Sequence, residues 1–285
     1  MILSLVAHVT EASGLANEDI AGFSGRFAWV VDGASGVSAR TLAEGATDAA
    51  WLAGTIDGVL RERIGQGDDP DLATLIHDLQ ADLAERFQAG ATGSLENDTD
   101  GPSACLALLE ARASGNGSIA LKGAVIGDVA VLVPGQPRWT DERLKPFEAE
   151  TLDVLSQSER IPVGIPEPVI AQIRRNRLHL NRPGGYHAVH PRLPWADAML
   201  PFEAEVEAGT RVILATDGFL RLCDLFEAVS EADLVRRVSA GEAPALLAAL
   251  RQLERADPDG RRHLRVKTHD DATVLAVAVN LNETP

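Results

Sequence analysis

The chain has 285 residues, of which 45% are hydrophobic, and its 26 lysines and arginines are outnumbered by 42 aspartates and glutamates. This length and apolar content can bury a sizeable core in one large domain or two small ones. The formal net charge of -16 repels nucleic acid and anionic lipid, so neither is expected as a partner.

Apolar runs of the β type open the chain. They cover residues 2–9 and 27–31, and the second run ends at Asp32. Apolar residues then recur at helical spacing, which predicts helices over about 39–64 and 71–87.

Three more β-type runs follow a polar segment, at 104–109, 119–126 and 129–133. From about 134 to 201 the chain is rich in proline and less regular, apart from a helix predicted over 167–177. We interpret this segment as a flap-like insertion beside the functional site.

Regular structure returns in the last third, where the pattern predicts a strand over 211–216, helices over 231–238 and 243–256, and a closing strand over 272–279. Strands grouped at both ends, with helical pairs between them, favour antiparallel sheets covered by helices over alternating βαβ units. We therefore expect residues 1–285 to form a single α+β domain, a layered α-β-β-α sandwich of two mostly antiparallel sheets flanked by helices.

Cys105 and Cys223 lie inside apolar runs, where they fit small buried hydrophobic residues better than a disulfide or a nucleophile. The N-terminal sequence lacks the basic and long apolar segments of a secretory signal, and no apolar stretch reaches the roughly 18 residues that span a bilayer. These features predict a soluble protein of the reducing cytoplasm with no membrane partner.

Three aspartates mark the ends of apolar strands: Asp32 in RFAWVVDGASG, Asp217 in RVILATDGFL, and Asp270, which leads into DATVLAVAV. A rigid buried strand holds such an aspartate at a fixed depth, so its oxygens converge on a cleft. Oxygen-only ligand sets favour Mg²⁺ or Mn²⁺ over Zn²⁺, and the glycines after Asp32 and Asp217 would let a backbone carbonyl join them. Two such ions about 3.5–4 Å apart can deprotonate a water and neutralise phosphate oxygens, which indicates hydrolysis of a phosphate ester.

Five short motifs occur along the chain in a recognisable order. They are Asn17-Glu18-Asp19, Val31-Asp32-Gly33, Gly127-Asp128, Thr216-Asp217-Gly218 and Asp270-Asp271-Ala272-Thr273. In this order, and over essentially the whole chain, they resemble the motifs of the metal-dependent type 2C protein phosphatase family in its bacterial form. The resemblance implies a signalling serine/threonine phosphoprotein phosphatase that uses a water activated by two Mn²⁺ or Mg²⁺ ions. Its partners would be a phosphoprotein substrate and a cognate serine/threonine kinase or that kinase's target.

The resemblance also implies a set of metal ligands. Asp32 would bridge the two ions, with the Gly33 carbonyl on one ion and Asp217 and Asp270 on the other. These three aspartates are the predicted catalytic residues.

Further carboxylates take supporting roles in the same resemblance. Asp19 and Glu18 would hold metal-bound waters, and Asp128 would help to hold a weaker third ion. From the residues alone, Glu18 and Asp128 also fit ordinary turn positions. Asp271 is expected only to cap or orient its neighbours. Three histidines fit surface or core positions better than an acid or ligand role: His187, His190 and His269.

The chain departs from the family pattern in how it would grip substrate. Gly14 stands where family members commonly carry a phosphate-gripping arginine, Val129-Ala130 replaces a common Ser-Arg pair, and Ala34 stands where eukaryotic members carry a histidine. Arg182, in a glycine-containing loop of the insertion, is the predicted substitute for the missing contact, although it also fits a solvated loop residue.

Two other functions fit part of this pattern. A haloacid-dehalogenase-like phosphatase needs a second carboxylate two residues after Asp32, and Ala34 is there instead. A pseudophosphatase, which keeps the fold as a binding module, is supported by Gly14, but all three strand-end aspartates are present. An active phosphatase is therefore the preferred interpretation.

Overall fold

The computed structural model describes residues 2–35, 47–66, 70–90, 100–115, 117–159, 161 and 164–281. Within these ranges the strands are β1 (Leu3–Glu11), β2 (Asp19–Ser24), β3 (Phe27–Ala34), β4 (Ser103–Ala113), β5 (Ser118–Ile126), β6 (Ala130–Leu132), β7 (Leu200–Glu207), β8 (Arg211–Ala215) and β9 (Ala272–Val279). The helices in the same ranges are α1 (Asp48–Gly65), α2 (Leu72–Gly90), α3 (Lys145–Gln157), α4 (Glu167–Arg177), α5 (Asp217–Asp224), α6 (Glu231–Ser239) and α7 (Ala243–Ala256).

Two antiparallel sheets form the centre of the fold. One sheet has the strand order β1-β9-β8-β6, and the other has the order β2-β3-β4-β5-β7. The surfaces that face each other share one core of buried side chains, which includes Val30 and Leu109 from one sheet and Val212, Leu214 and Val277 from the other.

Helices cover the outer faces of both sheets. Leu52 and Ile56 of α1 and Leu79 of α2 pack against Trp29 and Leu108 of the five-stranded sheet. Helices α5, α6 and α7 bury their apolar faces against β6, β8 and β9. This succession of helix, sheet, sheet and helix layers confirms the predicted α+β sandwich.

Strand β3 shows why a carboxylate is found at the sheet edge. Trp29 and Val31 face the helices, while Ala28 and Val30 face the other sheet. Because both faces are buried, the strand is a continuous apolar run rather than an alternating one. The run ends at Asp32, which is partly exposed.

The structure adds four elements to those predicted. Strands β2 and β7 and helices α3 and α5 lie in segments that the sequence pattern left irregular. Strand β7 alternates apolar residues with glutamates, but this period-2 pattern directly follows the proline-rich stretch and is masked by it. Helix α5 begins at Asp217 itself, so that motif is a strand-to-helix junction. The helix predicted over 39–64 begins at Asp48 in the described residues, and 36–46 lie outside them.

The segment at 134–201 contains α3 and α4, which pack against each other. Leu180, Tyr186 and Ala188 form a small buried core there, and Phe147 packs against it. The segment is therefore more regular than its proline content indicated. Its role as a flap stays a prediction.

Two features relate to the predicted absence of disulfides and of membrane spans: the state of the cysteines and the length of the helices. Cys105 and Cys223 are free thiols, and burial raises the pKa of Cys223 to about 11 and that of Cys105 well above its usual range. Both thiols therefore stay protonated near neutral pH, as expected for packing residues. Across the described ranges, no helix combines the length and hydropathy that crossing a membrane requires.

Candidate functional site

Strand ends from both sheets meet at one edge of the sandwich. Asp32 lies near the end of β3, and its antiparallel partner at the start of β2 is Asp19. Asp217 and Asp270 belong to the other sheet, just after β8 and just before β9, and Asp128 lies in the turn between β5 and β6. The structure thus brings together the aspartates that sequence analysis assigned to separate motifs.

A threonine links the two sheets at this edge. Thr216 Oγ1 donates to Asp19 Oδ2 at 2.8 Å, and the backbone N–H of Thr273 donates to Thr216 Oγ1 at 3.0 Å. Asp19 is only 5% exposed. Burial, followed by the charges of Asp217 and Asp271, raises the pKa of Asp19 well above its usual range, so the hydrogen bond from Thr216 does not balance the cluster.

Three further carboxylates at this edge repel one another. Burial and the charges of the neighbouring aspartates raise the pKa of Asp32 well above its usual range. Burial, with the charges of Asp128 and Asp270, raises the pKa of Asp217 to about 7. Burial and the charge of Glu148 raise the pKa of Asp128 to about 6. The surrounding side chains therefore supply too little positive charge for these groups.

Two cations lie against Asp270. Arg221 Nη2 donates to Asp270 Oδ2 at 2.5 Å, and Lys267 Nζ lies 3.4 Å from Oδ1. Arg221 follows Asp217 by one turn of α5, and its Nη1 lies 3.2 Å from Glu254 Oε1. Asp270 thus has two cations within ion-pair distance, and the charge of Arg221 also acts on Asp217, although burial still raises the pKa of Asp217.

The donor set fits a hard divalent cation in its chemistry. Asp32, Asp128 and Asp217 offer only oxygen atoms, and the nearby Cys105 thiol is protonated. As the side chains stand, no three His, Cys, Asp or Glu residues in the described ranges surround one point.

Gly33 lies where two backbone segments approach closely. Its N–H donates to the Glu18 carbonyl oxygen at 3.0 Å. A Cβ at this position would lie 2.7 Å from that oxygen and 3.0 Å from the Ala49 carbonyl oxygen, so a larger residue would displace main chain. Packing therefore requires the glycine independently of its predicted role as a carbonyl ligand.

Asp271 holds the turn that carries the first motif. Its Oδ1 accepts from the Ser13 N–H at 2.6 Å, and its Oδ2 accepts from the Glu18 N–H at 2.5 Å. These contacts match the expectation that Asp271 caps or orients. The Glu18 carboxylate itself accepts a hydrogen bond from Ser35 Oγ at 2.9 Å.

A cleft of about 550 Å³ includes Asp128, Asp217 and Asp270 among its lining residues. Its apolar walls are Leu144, Phe147, Leu152, Ile165, Ile173, Leu225 and Leu264. Basic side chains also reach it: Arg138, Lys145, Arg177, Arg221, Arg265 and Lys267. Such a volume accommodates a phosphorylated side chain together with its flanking groups.

Arg182 does not line this cleft. It is exposed in the loop after α4, whereas Arg177, at the end of that helix, lines the cleft and is 6% exposed. Arg177 Nη2 donates to the Gly101 carbonyl oxygen at 2.5 Å. Arg182 as the phosphate contact stays a prediction. The histidines set aside on sequence grounds are also not part of the cleft lining: His187, His190 and His269.

Three charged residues of the site carry no motif in the sequence: Arg221, Lys267 and Glu148. Arg221 had a usable signal, because its i+4 spacing from Asp217 places both on one face of a helix. The spacing has this meaning only if residues 217–224 are helical, and the sequence pattern did not predict α5. Lys267 and Glu148 reach the site from a loop and from α3, and only the tertiary structure brings them there.

Comparison with solved structures identifies the fold. The Mycobacterium tuberculosis serine/threonine phosphatase PstP/Ppp matches with a TM-score of 0.56 at 17% identity, over 99% of this chain and 100% of that chain. The catalytic domain of PstP in complex with 2 manganese ions gives 0.55 at 18% identity, over 98% and 99%. The PPM Ser-Thr phosphatase MsPP from Mycobacterium smegmatis gives 0.52 at 16% identity, over 97% and 100%. These likenesses confirm the resemblance to type 2C phosphatases at the level of the fold.

In sequence, neither a protein family model nor a curated protein matches the chain.

Proposed function

We propose that this chain is a metal-dependent serine/threonine phosphoprotein phosphatase that hydrolyses phosphate monoesters. The observation that carries the proposal is the group of carboxylates with raised pKa values, Asp32, Asp128 and Asp217, which lie at strand ends of both sheets; Asp128 and Asp217 also line the cleft. Raised carboxylate pKa values oppose folding near neutral pH, so a bound cation is their natural partner. A fold shared with solved phosphatases, one of them in complex with two manganese ions, supports this assignment.

Each strand-end residue would be a ligand of one or both metal ions. Two Mn²⁺ or Mg²⁺ ions supply a water of lowered pKa and neutralise charge on the phosphate oxygens. Asp32 would hold both ions, the Gly33 carbonyl one of them, and Asp217 and Asp270 the other. Three further carboxylates would hold metal-bound waters or a weaker third ion: Asp19, Glu18 and Asp128.

The cleft would position the phosphorylated residue. Its apolar walls, such as Phe147 and Leu225, limit the access of bulk water, and Lys145 at its rim attracts a dianion. A second cationic contact is needed because Gly14 offers none. Arg177 is the candidate inside the cleft, and Arg182 is the candidate in the adjoining loop.

Kinetics separate the two arginines. Arg182→Ala should lower kcat/KM on a phosphoserine peptide with Mn²⁺ affinity unchanged if the loop closes over substrate. Wild-type kinetics would remove Arg182 from the site and leave Arg177 as the contact.

The activity test uses an aryl phosphate and a phosphoserine peptide with Mn²⁺, with Mg²⁺ and after chelation. Turnover should require either ion and disappear with chelation, because the bare carboxylates repel a phosphate dianion. Turnover that persists after thorough chelation would exclude the two-metal mechanism. Stoichiometric Mn²⁺ binding without any turnover would instead indicate a binding module.

A matched control comes from the same cleft. Asp224 lines it, but Arg138 Nη1 already holds both of its oxygens, at 2.9 and 2.8 Å. Asp224→Asn should therefore stay close to wild type, whereas Asp32→Asn should inactivate. Equal losses in both would mean that charge in the cleft matters but that metal ligation does not.

The cellular setting forms part of the same proposal. We expect residues 1–285 to form a single domain that acts in the cytoplasm and takes part in signalling. The substrate would be a phosphoprotein, and a cognate serine/threonine kinase or its target would be the partner. Phosphoproteomic comparison of cells with and without the active protein would test both points.

A further inference from the structure

Arg221 forms ion pairs with two acidic residues, Asp270 and Glu254. Its guanidinium donates to Asp270 through Nη2 at 2.5 Å and lies 3.2 Å from Glu254 Oε1 through Nη1. The Arg221 side chain is only 12% exposed, and Glu254 is fully buried. The short contact with Asp270 and the buried contact with Glu254 together hold the guanidinium in place.

Glu254 anchors Arg221 without depending on it. Arg251 Nη1 lies 2.7 Å from Glu254 Oε2, and His269 Nδ1 lies 2.9 Å from the same oxygen. Glu254 therefore keeps polar partners when Arg221 is replaced. The Arg221 guanidinium is thus bound to Glu254 and also donates to Asp270.

Both oxygens of Asp270 are already engaged. Oδ2 accepts from Arg221, and Oδ1 accepts from the Asp271 N–H at 3.2 Å and lies near Lys267. A divalent ion that takes Asp270 as a ligand through Oδ2 must displace the guanidinium or share that oxygen with it. Two positive charges on one carboxylate also repel each other across a short distance.

We propose that Arg221 competes with the divalent ion that Asp217 and Asp270 would hold, so that this ion binds more weakly than its neighbour on Asp32 and Gly33. The inference rests on the proposed function. It makes Arg221 a residue that sets metal affinity, because Asp217 lies one helical turn before Arg221 and Asp270 is its direct partner. The full chain would then gain its second ion only at high Mn²⁺ concentration.

Calorimetric titration of the metal-free full chain with Mn²⁺ alone tests this competition. Wild type should bind two ions of unequal affinity. Arg221→Ala and Arg221→Gln should bind the weaker ion roughly tenfold more tightly, a change equal in size but opposite in sign to the loss that usually follows when a partner of a metal ligand is replaced. Arg221→Lys, which keeps a cation there, should stay near wild type.

Arg138→Ala is the matched control. It removes a positive charge from the same cleft, but one that pairs with Asp224 rather than with a strand-end aspartate. Mn²⁺ affinity should change much less than in Arg221→Ala. Equal gains in both variants would overturn the proposal, because they would show a general field effect instead of direct competition.

Thermal unfolding gives a second readout. Without metal, Arg221→Ala should melt below wild type, and added Mn²⁺ should raise its melting temperature by more than it raises that of wild type. Weaker Mn²⁺ binding in Arg221→Ala and Arg221→Gln would overturn the inference, because Arg221 would then orient Asp270 for the metal. A wild-type chain that binds no Mn²⁺ would refute the proposed function itself.

Discussion

Buried acidic residues in two regions of this molecule have opposite surroundings. Just after α7, Asp257 accepts hydrogen bonds from the N–H groups of Arg261 at 2.9 Å and His263 at 3.0 Å, and from Arg265 Nη1 at 3.0 Å. Burial alone would raise the pKa of Asp257, but these donors outweigh burial and hold the pKa well below its usual range. At the strand ends, burial acts on Asp217 too, yet its pKa is raised to about 7.

The two regions differ in the partners of the carboxylates: Asp257 has hydrogen-bond donors that stabilise its charged form, and Asp217 has too few. Both regions remove a carboxylate from water, and only the neighbours differ. Asp257 is surrounded by N–H donors, whereas Asp217 lies near the charges of Asp128 and Asp270, which the charge of Arg221 opposes only in part. This contrast supports the proposal that a cation binds among the strand-end carboxylates.

Neutralising one strand-end aspartate should break this comparison most clearly. Asp217→Asn should lower Mn²⁺-dependent turnover by on the order of a hundredfold or more, because an amide keeps the shape but weakens ion binding. The same change should raise the melting temperature of the metal-free protein by about 2–4 °C, since it removes charge repulsion worth roughly 1 kcal/mol. Aryl phosphate kinetics check the predicted loss of turnover, and thermal unfolding checks the predicted rise in melting temperature. A variant with full activity and a lower melting temperature would contradict both predictions.

The compensated acid should respond in the opposite way. Asp257→Ala leaves the Arg265 guanidinium and several backbone N–H groups without their acceptor, so the melting temperature should fall. Asp259→Ala is the control, because that exposed carboxylate pairs only loosely with Arg261, at 3.4 Å. Similar melting temperatures for the two variants would mean that the Asp257 network contributes nothing to stability.

The pH dependence of stability should sharpen the contrast. The folded-state pKa values of about 7 for Asp217 and about 6 for Asp128 lie above the ordinary value of 3.8, so the folded state binds more protons across this interval. Metal-free stability should therefore fall as pH rises from about 4 to about 7. The difference between wild type and Asp217→Asn isolates this contribution, and saturating Mn²⁺ should remove it. A difference that does not vary with pH would mean that Asp217 titrates normally.

The smallest effect is expected at Asp271, an acid with its own donors. Asp271→Asn keeps one oxygen that can accept from Ser13 or Glu18, so turnover should fall far less than in Asp217→Asn. Parallel kinetics of the two variants measure the ratio. Comparable losses would show that Asp271, and not Asp270, is the ligand in the last motif.

The strand-end aspartates could be placed from sequence because each adjoins an apolar run. The run determines the strand, and the strand determines the edge at which Asp32 or Asp270 lies. The fold class followed from the grouping of such runs. The ligand roles that the resemblance assigns to these residues stay predictions.

Short elements and long-range contacts were beyond the sequence pattern. Helix α5 has eight residues directly after a strand, too few for a clear helical period, so Arg221 was not related to Asp217. Its ion pair with Asp270 spans 49 residues and depends on how the loop before β9 folds back. No local signal reports such a contact.

The hydrogen bonds of Asp271 also have a consequence for folding. They join positions 258 and 253 residues apart, and β1 pairs with β9 along the same seam. We expect contacts of such long separation to form late, because the entropy of closing the loop opposes them. The strand ends that carry Asp19 and Asp270 therefore come together only when the chain is nearly native. Capture of a divalent ion would then mark the completed protein instead of guiding its assembly, and refolding should proceed at the same early rate with or without metal.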